Sequence, residues 1–121
     1  MPIMKIILDR SFDTHVQQVA ESLIPKLSQT IKQGLAPLHA TPQVMLQPGC
    51  YVSEPYKIYA DLLFRGSAQR TPKHVNTLLQ QLADILSAEF NTSVRLRAFP
   101  TDQATLSAVD HLLPKDHKTD Q

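Results

Sequence analysis

The sequence has 121 residues and a net charge of +1, from 12 basic and 11 acidic side chains. Hydrophobic residues make up 42% and charged residues 19%, which is typical of one globular domain with a buried core. The balanced charge gives no long-range field for nucleic acid or an anionic membrane, and no apolar run approaches the roughly 18 residues that span a bilayer. A single cysteine, Cys50, and the absence of a basic-then-apolar opening predict a cytoplasmic protein.

The first half of the chain predicts a strand, a helix and a second strand. The segment IMKIILD is short, apolar and β-branched, and Pro2 suits the first position of such a strand because it has no N–H to donate. Apolar residues then recur at helical spacing, with Ser11 or Asp13 as the cap and Gly34 as the stop. Pro25 lies inside that helix and predicts a kink or break. The short strand QVML and a Pro-Gly turn in QPGCYVSEP follow.

The second half repeats this order. YKIYADLLF predicts a strand that ends at Arg65, and RGSAQR predicts a loop. Thr71 followed by Pro72 predicts a helix start, because a capping residue precedes a proline at the first helical position. SVRLRAF predicts the last strand, and the polar residues 109–121 predict a tail.

An internal repeat defines the predicted fold. The apolar helical stripe that begins at Val16 recurs 59 residues later, from Val75. We therefore predict an α+β, two-layer domain over residues 1–108, in which tandem β-α-β units form a four-stranded mixed sheet with two helices on one face. The strands within each unit should be parallel, and the two halves should meet as antiparallel partners. The uncovered sheet face predicts assembly around a symmetry axis.

The order and spacing of these motifs resemble the tautomerase superfamily. MPIMKIILDRS is similar to the opening of 4-oxalocrotonate tautomerase. GLAPLHA, RGSAQRTPKHVNTLLQQLADIL, FNTSVRL and RAFPTDQATL are similar to 5-carboxymethyl-2-hydroxymuconate isomerase, over residues 2 to about 108. The resemblance implies a cofactor-free isomerase whose amino-terminal proline is the catalytic base. Members of the superfamily assemble as trimers or hexamers, and we expect a homotrimer here. The muconate isomerases carry an arginine near the start of the second strand, where this chain reads HATPQV.

Pro2 is the predicted catalytic residue. If Met1 is removed, Pro2 becomes a free secondary amine, and apolar surroundings lower the pKa of an α-amine from its usual value near ~8. A neutral amine at pH 7 takes a proton from a carbon beside a carbonyl and returns it elsewhere, which is keto–enol tautomerisation.

Four further residues are predicted to bind a small carboxylate substrate. The predicted pairing brings Arg65 and Arg70 to the Pro2 end of the sheet, where arginine is suited to gripping a carboxylate at two points. His39 is the potential cation near the second strand. Arg10 lies eight residues from Pro2, about 26 Å along a strand, so it could serve only the Pro2 of a neighbouring subunit.

Two other classes of function stay open at this point. A non-catalytic trimeric module of the same fold is favoured by the absence of arginine from HATPQV, and a retained Met1 would favour it too. A ferredoxin-like domain that binds RNA shares the strand–helix order, but the last strand offers only Phe99 to stack on a base. The five histidines show no spacing typical of metal ligands, so no metal site is predicted.

Overall fold

A four-stranded sheet and two long helices form the domain. The computed structural model describes residues 1–38, 40–102, 104 and 107–116. In chain order the elements are β1 (Ile3–Asp9), α1 (Asp13–Gly34), β2 (Gln43–Cys50), β3 (Ile58–Arg65), α2 (Pro72–Phe90) and β4 (Val94–Thr101). Short 3₁₀ turns cover Arg10–Phe12 and Pro114–Asp116. The described part of the predicted tail is exposed wherever its burial is known.

The sheet has the predicted mixed topology, with strand order β2-β1-β3-β4. β1 pairs in parallel with β2, and β3 pairs in parallel with β4. The two halves join through an antiparallel pairing of β1 with β3. The predicted fold class of tandem β-α-β units is therefore confirmed.

The core lies between one face of the sheet and the two helices. Alternate residues of β1 are fully buried, from Met4 through Ile6 to Leu8, as are alternate residues of β3 from Ile58 to Phe64. The repeated helical stripe supplies the other side of this core. Its buried members are Val16, Leu23, Leu27 and Ile31 in α1 and Val75, Leu78, Leu82, Leu86 and Phe90 in α2.

The predicted break at Pro25 is wrong. α1 runs without interruption from Asp13 to Gly34, and the predicted stop at Gly34 is confirmed. Pro25 is exposed, so water can bond the carbonyl oxygen that the proline leaves without an amide partner.

The predicted turn at Pro48-Gly49 is also wrong, because both residues lie inside β2. The β1–β2 register shifts between Ile7 and Asp9, and Gly49 has a φ of 83°, which favours glycine. β2 is an edge strand, where a proline and a bulge are tolerated.

Asp9, rather than Ser11 or Asp13, organises the entry to α1. The residue before α1 is Phe12, which makes no side-chain cap. The Asp9 carboxylate accepts hydrogen bonds from the Val52 amide at 3.0 Å and from the Ser11 hydroxyl and amide at 2.7 and 3.1 Å. These bonds, with Lys57 Nζ at 3.6 Å, hold the pKa of Asp9 well below its usual range. The cap at the start of α2 is the predicted one, since Thr71 accepts from the His74 amide at 3.2 Å.

The Asp9 network predicts a loss of stability in acid. Because its folded-state pKa is depressed, ionised Asp9 stabilises the fold above the ordinary Asp pKa of ~3.9, and this contribution falls as pH drops below about 4. We expect Asp9→Asn to lower the Tm at pH 7 by about 5 °C and to flatten the fall in Tm between about pH 4 and pH 2. Thermal unfolding followed by circular dichroism tests this. The exposed Asp84→Asn variant is the control, and equal Tm profiles for the two variants would contradict the assignment.

Candidate active site

Pro2 lies at the start of β1, on the buried side of the sheet. Its side chain is fully buried, and its carbonyl oxygen accepts a hydrogen bond from the Gln43 amide at 2.9 Å. The start of β2 therefore lies beside Pro2, as the parallel pairing predicts. Met1 is 57% exposed, so it lies at the surface, directly before the buried proline.

A cavity of about 250 Å³ opens beside Pro2. Three of the predicted site residues, Pro2, Arg65 and Arg70, line it together. The other lining residues are Met1, Pro37, Leu38 and Ala40. Met1 forms one wall, so its removal would enlarge the cavity at the point where the Pro2 nitrogen lies.

Arg70 joins the two loops that border this cavity. Its guanidinium donates hydrogen bonds to the carbonyl oxygens of Arg65 at 2.7 Å, Leu35 at 3.0 Å and Pro37 at 3.5 Å. All three acceptors are neutral, and within the described part of the chain Arg70 makes no salt bridge. Arg70 thus holds the loops together and keeps an uncompensated positive charge at the cavity.

Arg65 is the freer of the two cations. It is the last residue of β3 and is exposed. Its side chain makes no hydrogen bond or ion pair with any residue that the structure describes. The sequence predicts the same role for both arginines. The structure separates Arg70, which clamps two loops together, from Arg65, which is available to a ligand.

Arg10 lies at the opposite end of β1 from Pro2, as the length of the strand predicts. Its guanidinium lies over the Tyr51 ring, 5.0 Å from the centroid, and donates a hydrogen bond to the Tyr51 hydroxyl. Tyr51 is 82% exposed, so the pair projects from the surface. His39, the remaining predicted site residue, lies outside the described residues.

A larger cavity, of about 410 Å³, lies on another side of Arg70, between α2 and the end of the sheet. Its walls include Phe64, Val75 and Leu79, with Ser67 and Arg70 as polar members. The sequence pattern does not predict this cavity, because its walls come from three separate elements whose apolar residues are typical of a buried core.

Two features are absent from the described residues, a cluster of metal-ligating side chains and a membrane-spanning helix. Among those residues, no three His, Cys, Asp or Glu side chains are grouped so that they could hold a metal ion. Neither helix in the same part of the chain is long and apolar enough to cross a membrane.

The comparisons with known proteins show the fold of this chain. No family model and no curated protein matches the sequence. A macrophage migration inhibitory factor-like protein from Entamoeba histolytica superposes with a TM-score of 0.69 at 8% identity, covering 91% of this chain and 96% of its own. A fused 4-OT, an asymmetric trimer, gives 0.71 at 14% identity, covering 88% and 91%. Pt0534 inactivated by 2-oxo-3-pentynoate gives 0.68 at 17% identity, covering 93% and 96%.

The two arginines should respond differently to the same substitution. Lysine keeps the charge of Arg70 but cannot reach three carbonyl oxygens, so we expect Arg70→Lys to lower the free energy of unfolding by about 1–3 kcal/mol. Arg65→Lys, the matched control, should change it by less than about 0.5 kcal/mol. Urea denaturation measures both values. Equal effects of the two substitutions would refute the role of Arg70 as a clamp.

Proposed function

We propose that this chain is a cofactor-independent keto–enol tautomerase of the tautomerase superfamily. Pro2, freed by removal of Met1, is its general base, and a small enolisable carboxylate is its substrate. The observation that carries the proposal is the position of Pro2, which is fully buried and lines a cavity with two arginines. The fold shared with 4-OT and with a macrophage migration inhibitory factor-like protein supports it.

The surroundings of Pro2 favour a neutral amine. Burial disfavours the charged form of the freed nitrogen, and the guanidinium groups of Arg65 and Arg70 act in the same direction. The neutral amine removes a proton from the carbon beside the substrate carbonyl, and the protonated amine then returns it to the enolate oxygen, which gives the enol. Ketonisation is the reverse of this transfer. No external oxidant or metal takes part in this transfer.

Arg65 and Arg70 have different roles toward the substrate. Arg65, which makes no other polar contact in the described part of the chain, grips the substrate carboxylate. Arg70 is fixed by three carbonyl oxygens, so its charge is already in place to stabilise negative charge on the enolate oxygen. His39, which lies outside the described residues, is the remaining proposed substrate-binding residue, because it is the potential cation near the start of the second strand in the sequence.

We further propose that the site is completed in a homotrimer. Fused 4-OT structures are an asymmetric and a symmetric trimer, and one face of the sheet in this chain is uncovered. Arg10 projects from the end of β1 that is remote from its own Pro2. In the trimer, Arg10 of one copy reaches the Pro2 cavity of the next.

The subfamily and the cellular location that we propose are supported by the sequence. The resemblance over residues 2 to about 108 supports a relative of 5-carboxymethyl-2-hydroxymuconate isomerase. HATPQV carries no arginine, which favours a substrate with one carboxylate. A lone cysteine supports a location in the cytoplasm, and the near-zero net charge supports a small-molecule partner rather than nucleic acid or a membrane.

A second candidate is a non-catalytic trimeric module of the same fold. Arg70 favours it, because its guanidinium is already bonded to backbone oxygens on both loops of the cavity. Retention of Met1 would favour it as well, since the Pro2 nitrogen would stay an amide and could not act as a base.

The test of the base is a comparison of the protein with Pro2→Ala. With removal of Met1 confirmed by intact mass, we expect the protein to accelerate ketonisation of an aryl enolpyruvate and the variant to lose about 10²–10⁴-fold of the rate. Pro25→Ala, at an exposed position of α1 outside the cavity, is the control and should keep the rate of the unmodified protein.

A covalent probe gives an independent readout of the same nitrogen. Because 2-oxo-3-pentynoate inactivates Pt0534, we expect it to add once to the processed protein and to leave Pro2→Ala unlabelled at that position. Peptide mass spectrometry locates the adduct. Absence of both ketonisation and labelling in the processed protein would favour the non-catalytic module.

The carboxylate-binding role of Arg65 has its own test. Arg65→Gln removes a charge-assisted contact, so we expect kcat/KM to fall about 10–100-fold, mainly through KM. Lys32→Gln, an exposed position at the end of α1, is the control and should leave both constants unchanged. Steady-state kinetics with the same enolpyruvate decides this, and an unchanged KM in Arg65→Gln would reassign the carboxylate to another residue.

A further inference from the structure

The centre of the uncovered sheet face holds a carboxylate oxygen without a partner. Asp61 lies in the middle of β3, on the face that the helices leave open. Its Oδ1 atom is buried and accepts no hydrogen bond from any residue that the structure describes. A buried acceptor without a donor is destabilising and rare in folded proteins, so this atom requires an explanation.

Two cations flank Asp61 without pairing to it. In the strand register, Lys5 of β1 and Arg97 of β4 stand opposite Asp61 on either side. Both are exposed, and neither makes a hydrogen bond or an ion pair within the described part of the chain. Tyr59, on the same face of β3, donates a hydrogen bond to the Asp61 carboxylate, and this bond raises the pKa of Tyr59. Asp61 Oδ1 still lacks a donor, and it forms a row across three strands with the unpaired side chains of Lys5 and Arg97.

The surroundings of this row match a protein interface. The next row of the same face exposes Leu63 at 38% and Phe99 at 45%. Arg95, also on this face, is already engaged, because its guanidinium lies 4.2 Å from the centroid of the Tyr56 ring. Arg97 is different, since it stands unengaged on β4, an edge strand that a second copy can approach from the side.

A second copy of this chain would satisfy Asp61 Oδ1 and Arg97 at once. Each copy offers one carboxylate acceptor at Asp61 and one guanidinium donor at Arg97, so the face is complementary in charge to itself. A cyclic assembly repeats the same head-to-tail contact at every interface, so each Asp61 meets one Arg97. Asp61 has acceptor sites for the neighbour's Arg97 and for its own Lys5 together.

We propose that Asp61 of one copy accepts a hydrogen-bonded ion pair from Arg97 of the next copy, and that this pair fixes how the copies assemble. The proposal rests on the homotrimer proposed above and not on the proposed reaction. Leu63 and Phe99 supply apolar area, which is not directional. The ion pair supplies the specificity, because each charge loses its water in the interface and is stable there only opposite its partner.

The experiment is sedimentation velocity over a dilution series, with charge substitutions in the full chain. The unmodified chain should sediment as a trimer. We expect Asp61→Asn and Arg97→Gln each to weaken association by at least about tenfold. The exchange Asp61→Arg with Arg97→Asp should restore most of that loss, because the pair is kept with its charges reversed. Arg95→Gln is the matched control, from the same strand and face, and should associate like the unmodified chain.

Each other outcome overturns a defined part of the proposal. Unchanged association of both single variants would exclude the pair, and so would single variants that the charge exchange fails to rescue. A monomeric unmodified chain would overturn the pair and the homotrimer together, while the ketonisation assay of Pro2 would still report on the base. Far-UV circular dichroism of Asp61→Asn, which keeps the shape of the side chain, separates lost association from lost folding.

Discussion

Two helices bury only one face of the sheet, and this constraint determines which face holds Pro2 and which holds Asp61. Side chains along a strand alternate between faces, so burial of Met4, Ile6 and Leu8 under the helices also turns Pro2 toward the interior. The same alternation turns Lys5 to the open face. A slip of one residue in the pairing of β1 would exchange these sets and expose Pro2. The buried proline is therefore a consequence of the strand register that the core enforces.

The fold was predictable because its signals are local and repeated. Both helical stripes, from Val16 and from Val75, are buried as their spacing predicts. The errors came from context that the sequence pattern does not contain. Pro25 is tolerated because it faces solvent, and Pro48-Gly49 is tolerated because β2 is an edge strand. The Asp9 network joins residues 43 positions apart, so no short window of sequence reveals it.

The candidate site was predictable in part, for a similar reason. Parallel and antiparallel pairing together bring Arg65 and Arg70 to the end of the sheet where Pro2 lies, and the topology follows from the repeat. The different surroundings of Arg65 and Arg70 could not be predicted from the sequence, because the hydrogen-bond partners of Arg70 are backbone carbonyl oxygens. Every residue carries such an oxygen, so residue types give no indication of which carbonyl lies within reach.

The proposed catalytic site and the proposed ion pair are linked through the interface between neighbouring copies. If Arg10 of one copy serves Pro2 of the next, the interface must hold those groups to within a fraction of an ångström, since catalytic geometry tolerates only small displacements. Contacts between exposed apolar groups such as Leu63 and Phe99 permit neighbouring copies to slide. A charged pair between Asp61 and Arg97 would prevent this sliding, because a displacement would leave both charges desolvated and unpaired. A polar contact at the centre of the open face is thus what a shared active site at the ends of the strands requires.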